Sequence, residues 1–572
     1  MKKRVLSLIT GAVIATSVTS ANMSAIAAST LTAQDDFSSY GLGCTGYGFA
    51  VEAYAQDPVA NATAIASTLP TSVDLSTDPA FPPIGNQGLI GSCTAWATTY
   101  YAFTYMAHKL NGITSTASNA YSPKWTYNLI NGGVDGGSNR SDALDVLEYH
   151  GALTLADCPY LNTNGIYTYE WSTNTQAMIN ALSTRIHSRI SYSIQSNNAT
   201  NCQNGLVTIK NGLNSGRPYL VSMVAESGLT NSTLRVCKDS AHLNEQIYVR
   251  NANTTTTGQS ITSGHALTVV GYDDTVWCDV NNNNTIDTGE TGAFKIANSW
   301  GENWGNDGYI WVLYDALLQT SQIASSSDST VTWDSTITTT RVPFFARSGV
   351  VNSFTTFEVS NYKVGFVSEV TLTTNRRNQL TANAIYVNTN NTTITQPSEY
   401  AVHGSSSTAV NFSGTIVLNN ANSADLDTYL TGYKWGARIS DSTTDNYPLT
   451  NISCRIVDNR RNTIATCSGS ATSANGTSVS LLSTINLMRG DTDYDGQLTL
   501  TDADFILNYL AGSVSISTVQ AELADYNNDG RVAVADVIAL KQYLSEQGID
   551  VSNINSRIQN YMLGVQSNME VD

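Results

Sequence analysis

The sequence is poor in charged residues, and the basic ones are the scarcer. Only 13% of the 572 residues are charged, with 28 Lys and Arg against 46 Asp and Glu, for a net charge of -18. A chain this acidic is repelled by phosphate backbones and anionic lipid, which argues against nucleic acid and membrane surfaces as partners. The same acidity suits divalent cations.

Long hydrophobic runs are also lacking, apart from one near the start. Basic residues 2–4 precede an apolar stretch over 5–15, and small residues follow around Ala27 and Ala28. This pattern is typical of a secretory signal over residues 1–28. The run is too short and too polar for a membrane anchor, and no later segment reaches spanning length. The sequence predicts a secreted, extracellular protein without a membrane span.

The sequence has eight cysteines. If Cys93 is a reactive thiol, an odd number remains, and an odd number cannot all pair within one chain. Cys454 and Cys467 flank a hairpin-like segment, where a local disulfide and two free buried thiols are both compatible with the sequence. Other pairings are not readable from the spacing.

The length predicts three or four domains. A polar pro-segment or linker at 29–68 precedes an α+β domain at 69–320, whose helical periodicity runs from Cys93 to about Leu110 and ends at Asn111 and Gly112. Residues 321–337 have the composition of a linker. Residues 338–487 alternate short strands with turns, which predicts an all-β, sandwich-like module without a catalytic constellation.

The C-terminal region repeats itself. An acidic loop at Asp491–Asp502 recurs 34 residues later at Asp525–Asp536, and each copy leads into a helix within a small all-α module at 488–550, followed by a tail at 551–572. The oxygen donors follow the spacing of EF-hand calcium loops, with glycine at the sixth position. The predicted ligands are Asp491, Asp493, Asp495, Gln497, Asp502, Asp525, Asn527, Asp529, Arg531 and Asp536, with Gln497 and Arg531 acting through backbone carbonyls.

A third loop of the same spacing interrupts the α+β domain. Asn284 stands at its sixth position, and asparagine tolerates the left-handed conformation needed there. A polar hairpin without an ion is the alternative. The candidate ligands are Asp279, Asn281, Asn283, Thr285, Asp287 and Glu290.

Three short sequence motifs, around Cys93, His265 and Asn298, together predict a reactive thiol. Cys93 begins the predicted helix, where a thiolate is favoured, and His265 is the candidate base. Asn298 is expected to orient the imidazole, and Gln87 to donate its amide to a developing oxyanion together with the backbone N–H of Cys93.

These strings resemble the papain family of cysteine peptidases over roughly residues 69–318. The resemblance implies a two-lobed papain-like domain that hydrolyses peptide bonds. It assigns substrate-backbone contact to Gly136 and Gly137, and to Trp300 the shielding of the Asn298–His265 contact. The sequence departs from the family at Thr94, where an aromatic residue is usual, and in lacking a long helical prosegment.

The repeated tail resembles a type I dockerin over about 490–546. This implies two bound calcium ions, with a third in the insertion loop if that loop binds, and docking to a cohesin module of a cellulosomal scaffold. The family's recognition positions correspond to Leu500, Thr501, Val534 and Ala535, and their differences argue against symmetric binding in two orientations.

Together the two resemblances predict a secreted cysteine endopeptidase attached to a cohesin-bearing scaffold. The alternative is a non-catalytic or decoy papain-fold protein of the cellulosome.

Overall fold

The computed structural model describes a defined part of the chain: residues 44, 55–56, 68–224, 234–249, 264–323, 344–345, 351–400, 410–422, 433–469 and 472–569. The predicted signal peptide at 1–28 and most of the predicted linker at 321–337 lie outside the described residues. The described residues all fall in one compact unit, Phe37–Asp572. Among the described helices, none is both long and apolar enough to cross a bilayer.

The first helix, α1, begins at Cys93 and changes its hydrogen bonding along its length. It passes from Cys93–Ala95 through a π-helical segment, Trp96–Phe103, to a regular end, Thr104–Asn111. Gly112, at φ 63°, terminates it as the sequence predicted. Every side chain of the π segment is buried, and π segments within helices often accompany functional sites.

Four further helices follow in this domain: α2 (Pro123–Ile130), α3 (Arg140–Tyr149), α4 (Thr175–Ala181) and α5 (Ala199–Asn214). Three of them start in the same way. The side chains of Asn139, Asn174 and Asn198 each accept a hydrogen bond from a backbone N–H of the first turn. Such caps contribute about 1 kcal/mol each to helix stability.

One ten-stranded sheet organises the domain. Its strands are β1 (Ala55–Gln56), β2 (Ser72–Asp74), β3 (Thr184–Gln195), β4 (Tyr219–Val224), β5 (Leu234–Val236), β6 (Gln246–Tyr248), β7 (Gly264–Trp277), β8 (Thr291–Ala297), β9 (Tyr309–Leu313) and β10 (Val351–Asn361). The spatial order is β1-β3-β10-β4-β7-β8-β9-β6-β5, with β2 paired to β7. Because β7 and β8 are antiparallel, the start of β7 and the end of β8 meet at one edge.

Strand β10 lies inside this sheet, although its residues were expected in the separate module at 338–487. It pairs with β3 along its whole length and also contacts β4. Arg140 ties it down further, because Nη1 donates to the Leu220 carbonyl (3.2 Å) and Nη2 to Ser353 Oγ (3.1 Å). The sequence did not separate this strand from the module because both share the same alternating pattern.

The β-rich module consists of two antiparallel sheets, as predicted. Its strands are β11 (Val364–Thr374), β12 (Leu380–Val387), β13 (Thr393–Glu399), β14 (Phe412–Asn422), β15 (Lys434–Asp441), β16 (Thr450–Asp458), β17 (Thr463–Thr466), β18 (Ser468–Gly469) and β19 (Ser478–Thr484). The sheet orders are β14-β11-β16-β17 and β13-β12-β15-β19-β18. Phe366 of the first sheet meets Trp435 of the second edge to face, with ring centroids 5.0 Å apart.

This module packs directly on the α+β domain. The fully buried Arg377 donates to the Asn128 carbonyl (3.3 Å) and lies over the Trp171 ring. Val410 covers Gly133 so closely that a Cβ there would approach its side chain to 2.4 Å. The module therefore supports the loop that leads to Gly136 and is more than a spacer.

All eight cysteines are buried and free in the structure. Cys454 and Cys467 lie side by side, with the Cys467 N–H donating to the Cys454 carbonyl at 2.9 Å. The sequence was compatible with a disulfide or with two free thiols at this pair, and the structure has two free thiols.

The C-terminal region contains α6 (Leu500–Leu510), α7 (Thr518–Ala524), α8 (Val534–Glu546) and α9 (Ser552–Met569). The last helix occupies the segment expected to be only a tail at 551–572. Its residues Ile554 and Ile558 are buried in the same apolar cluster as Leu507 and Leu540. This amphipathic stripe holds α9 against the repeated helices.

Candidate active site

His265 and Asn298 meet at the edge where β7 begins and β8 ends. His265 Nε2 lies 2.7 Å from Asn298 Oδ1, which also accepts from the backbone N–H of Ser299. A carbonyl oxygen only accepts, so Nε2 carries the proton and Nδ1 keeps its lone pair. Within the described residues Nδ1 has no hydrogen-bond partner. This is the tautomer that a general base for a thiol requires.

The environment of His265 keeps the imidazole neutral. The ring is fully buried and stacks on Trp300, with centroids 4.6 Å apart and planes at 28°. Burial lowers the pKa of His265 to about 4, and the hydrogen bond to Asn298 only partly opposes this. At pH 7 the ring is therefore neutral, and the Nδ1 lone pair is unprotonated. Trp300, which the sequence predicts to shield the His265–Asn298 contact, lies against the imidazole face.

Cys93 is the first residue of α1 and is fully buried. The start of α1 packs against β7, the strand that carries His265. Further along, Thr268 Oγ1 of β7 donates to the Ala97 carbonyl of α1 at 3.2 Å. The N-terminal end of a helix stabilises negative charge, so this position favours a thiolate.

Gln87 is fixed in a single orientation beside this edge. Its backbone N–H donates to the Ser299 carbonyl (2.8 Å), and its Oε1 accepts from Ser299 Oγ (2.5 Å). Nε2 donates to the Ile90 carbonyl at 2.8 Å. The side chain thus holds its amide nitrogen against the loop that leads into Cys93.

Two tyrosines support the site and were missed in the sequence. Tyr101 donates to the Asn298 carbonyl at 2.7 Å, and Tyr160 donates to the Gln87 carbonyl at 2.9 Å. Tyr101 reads in the sequence only as one member of an aromatic run on α1. No local sequence pattern reveals hydrogen-bond partners that lie so far apart in the chain.

The predicted glycine pair lies in a loop tied to the segment before Cys93. Asp135 Oδ1 accepts from the Gly91 N–H (2.9 Å) and from the Tyr127 hydroxyl (2.7 Å). Gly137 has φ 75°, and a Cβ at Gly136 would meet no described residue within 4 Å. Around Gly136 the described residues leave space beside the backbone, and Gly137 adopts a conformation that favours glycine.

Thr94, the departure from the family pattern, has a structural role. Its Oγ1 donates to the Ser138 carbonyl at 3.1 Å, next to the glycine pair. The residue after the candidate nucleophile therefore joins α1 to the loop of the glycine pair by a hydrogen bond.

Cys44, from the segment expected to be a short polar pro-segment or linker at 29–68, pairs with the backbone on two sides of this site. Its N–H donates to the Gly264 carbonyl (3.0 Å), directly before His265, and it forms a parallel bridge with Ser138. Its thiol lies 3.6 Å from Ser222 Oγ, and only 5% of the residue is exposed. The chain thus places one of its own residues between the strand that carries His265 and the loop that carries the glycine pair.

The three acidic loops share one conformation. In each, the first-position carboxylate accepts from the backbone N–H groups of the fifth and sixth residues, at 2.8–3.2 Å. The fourth and sixth residues have positive φ in all three. These first-position residues are Asp279, Asp491 and Asp525.

The twelfth-position carboxylates are also equivalent. Glu290, Asp502 and Asp536 each accept from the ninth backbone N–H and from one near the loop start. All three are fully buried. The insertion loop joins the end of β7 to the start of β8, at the opposite ends of these strands from His265 and Asn298.

The first tail loop gathers enough oxygen for a divalent cation. Carboxylate oxygens of Asp491, Asp493 and Asp502 lie within 4.8 Å of one another. Burial and the neighbouring carboxylates raise the pKa of Asp491 to about 6. Hard oxygen donors with mutual repulsion fit calcium, which would sit among these side chains and neutralise them.

The four predicted recognition residues start the two repeated helices. Leu500 and Val534 are half-buried against the apolar cluster, whereas Thr501 and Ala535 are exposed.

Two family models match the chain. Residues 69–331 match the papain family cysteine proteases, and residues 489–545 match the dockerin type I domain. No curated protein matches the chain.

Several solved structures are similar to part of the chain. Xylellain, a cysteine protease from Xylella fastidiosa, shows 19% identity and a TM-score of 0.34 over 56% of this chain and 96% of its own. The bromelain protease from Ananas comosus shows 17% identity and a TM-score of 0.31, over 51% and 99%. Digestive procathepsin L2 from Tenebrio molitor shows 16% identity and a TM-score of 0.33, over 56% and 79%.

The predicted succession of a papain-like α+β domain, β-rich sheets and a small helical module is confirmed. A dockerin implies a cohesin partner and calcium, and a protease domain implies peptide substrates. The chain contains a papain-family cysteine protease domain and a type I dockerin domain.

Proposed function

We propose that this chain is a secreted cysteine endopeptidase that hydrolyses peptide bonds through Cys93, His265 and Asn298. The observation that carries the proposal is the 2.7 Å contact between His265 Nε2 and Asn298 Oδ1, which leaves Nδ1 as a base beside the start of α1. The test is hydrolysis of a mixed peptide library by the purified chain, which we expect to vanish with Cys93→Ala.

Each candidate residue has a defined step. His265 Nδ1 removes the proton of the Cys93 thiol as the sulfur adds to the peptide carbonyl carbon. Gln87 Nε2 and the Cys93 backbone N–H donate to the resulting oxyanion. His265 then returns the proton to the leaving amine, which departs and leaves a thioester.

Hydrolysis restores the thiol. His265 takes a proton from water, the hydroxide attacks the thioester carbonyl, and the acid leaves as Cys93 recovers its proton. Asn298 keeps the imidazole in the required tautomer throughout. Trp300 excludes water from that contact, while Gly136 and Gly137 let the substrate backbone approach.

We propose that the dockerin anchors this peptidase to a cohesin-bearing cellulosomal scaffold outside the cell. Calcium would be held by the ten predicted residues of the two tail loops. The geometry shared with the insertion loop supports a third calcium ion held by Asp279, Asn281, Asn283, Thr285, Asp287 and Glu290. That ion would rigidify the β7–β8 connection.

A non-catalytic papain-fold protein of the cellulosome is the second candidate. It is favoured by the complete burial of Cys93 and His265, with Cys44 paired to Gly264 and Ser138 beside them. If the chain is a peptidase, a peptide substrate has to displace Cys44. If the chain is non-catalytic, Cys44 stays in place.

Displacement of Cys44 is expected to control access to the site. Cys44→Arg does not fit against Ser222, so we expect the KM for peptide substrates to fall about tenfold, equivalent to about 1.4 kcal/mol, with kcat little changed. Cys44→Ser keeps the size and the hydrogen bond and should behave as wild type. Equal KM values in all three chains would show that Cys44 does not compete with substrate, and inactivity of all three would favour the non-catalytic candidate.

A further inference from the structure

One carboxylate lies beside the loop that leads into the candidate nucleophile. Asp135 directly precedes the glycine pair, and its Oδ1 accepts from the backbone N–H of Gly91 at 2.9 Å. Gly91 is two residues before Cys93. Because consecutive Cα atoms are about 3.8 Å apart, Asp135 Oδ1 lies within about 12 Å of the Cys93 Cα. The carboxylate is therefore close enough to contact a long side chain of a peptide held at the Cys93 sulfur.

Asp135 is fixed in position, and part of its carboxylate is free. The Tyr127 hydroxyl donates to the same Oδ1 at 2.7 Å and itself accepts from the Gly137 N–H at 3.1 Å. Among the described residues, none donates to Oδ2 and no Lys or Arg forms an ion pair with this carboxylate. Asp135 is also exposed. A carboxylate that is already held in place loses little conformational freedom when it binds a cation.

The proposed oxyanion donors indicate which substrate residue lies near Asp135. These donors, Gln87 Nε2 and the backbone N–H of Cys93, belong to the two ends of the loop that contains Gly91. The oxygen of the attacked carbonyl has to point toward its donors and so toward this loop. The residue that supplies the attacked carbonyl therefore lies on the side of the site where Asp135 is fixed.

We propose that Asp135 selects substrates with lysine or arginine at the residue that supplies the scissile carbonyl. The inference rests on the proposed peptidase function. Lysine and arginine complement this carboxylate because each carries a positive charge at the end of a long side chain. An acidic substrate residue at the same place meets the repulsion of Asp135 and is disfavoured. The net charge of -18 adds a general attraction for basic peptides.

Three fluorogenic peptide libraries measure this selection in the full chain. Each library releases its fluorophore from one fixed residue, which is lysine, Nε-acetyl-lysine or glutamate, and is random at the preceding positions. Acetylation keeps most of the side chain and removes its charge. We expect kcat/KM to fall about fivefold from lysine to acetyl-lysine, and further for glutamate. The difference should shrink at high salt, because dissolved ions screen an exposed ion pair.

Asp135→Asn tests the residue itself. The amide oxygen of asparagine still accepts from the Gly91 N–H and the Tyr127 hydroxyl, whereas the charge is lost. We expect the preference for lysine over acetyl-lysine to disappear in this variant.

Asp78→Asn is the matched control, because it removes the same charge far from the site. Asp78 pairs with Lys109 at 2.9 Å. Lys109 follows Cys93 by sixteen residues, which is about 24 Å along α1. This variant should keep the preference of the wild-type chain.

The outcomes separate the inference from the function on which it rests. Equal cleavage of the three libraries by the wild-type chain, or an unchanged preference in Asp135→Asn, overturns the inference and leaves the peptidase function intact. Failure of the wild-type chain to cleave any library overturns the peptidase function itself. If Asp135→Asn cleaves nothing, the wild-type chain decides, and a lysine preference that high salt does not reduce overturns the inference.

Discussion

Replacing Cys93 by alanine abolishes peptide hydrolysis and leaves cohesin binding unchanged. Without the thiol, no sulfur is available to add to the peptide carbonyl, and His265 and Gln87 alone stabilise no covalent intermediate. We expect kcat to fall at least about 10⁴-fold, as is typical when a nucleophile is removed. Hydrolysis of a fluorogenic peptide library measures the first effect, and cohesin binding measures the second.

A matched control separates the nucleophile from buried thiols in general. Cys158 is another buried cysteine of the same domain, and burial raises the pKa of its thiol. Cys158→Ala should keep the activity. Hydrolysis that survives in the Cys93→Ala chain would remove Cys93 from the proposed mechanism.

Removing calcium abolishes cohesin binding and lowers the stability of the peptidase domain. The carboxylates of the empty loops repel one another, so the calcium-free loops lose the arrangement that positions α6 and α8. Calcium at a hundredfold excess over its dissociation constant would stabilise the folded state by about 2.7 kcal/mol per site. Titration with EDTA followed by cohesin binding and thermal unfolding measures both effects.

The loss of bound calcium, and of cohesin binding with it, should also appear at mildly acidic pH. The pKa of Asp491 is raised to about 6 in the ion-free loop, by burial and then by its acidic neighbours. Protons therefore compete with calcium as the pH falls through 6, and the affinity for calcium declines. The same raised pKa makes the ion-free dockerin less stable as the pH rises from 4 to 6, since the buried carboxyl then ionises.

Substitutions at the twelfth position of two loops separate the role of the tail calcium sites from that of the insertion loop. Asp502→Asn should weaken cohesin binding and spare peptide hydrolysis. Glu290→Gln, at the same loop position in the insertion, should spare cohesin binding and reduce the calcium-dependent rise in the melting temperature of the peptidase domain. A Glu290→Gln chain whose melting temperature still responds fully to calcium would leave the insertion loop as a polar hairpin.

Local sequence patterns carried most of the candidate site. Cys93 at a helix start, the strings around His265 and Asn298, and the twelve-residue loops are all signals within short windows. Helix α1 and its end at Gly112 followed from periodicity and from a glycine at positive φ. These features depend on neighbours in the chain, which the sequence displays.

Contacts between distant segments were not predictable. Strand β10 joins the first sheet across a gap of well over a hundred residues, and its alternating pattern does not specify a partner. The positions of Cys44 beside Gly264 and of Arg557 against α6 both depend on the tertiary packing of polar segments. Tyr101 and Tyr160 support the site through hydroxyl groups whose partners only the fold brings near.

The most direct test of the central claim is covalent labelling of the native chain with a thiol-reactive epoxide, followed by mass analysis of its peptides. Eight buried cysteines compete for the reagent, so selective reaction requires an activated thiol. We predict a single adduct on Cys93 in the native chain, absent after denaturation and in the His265→Ala variant. No adduct on Cys93, or equal labelling with and without His265, would contradict the assignment of a Cys93–His265 catalytic pair.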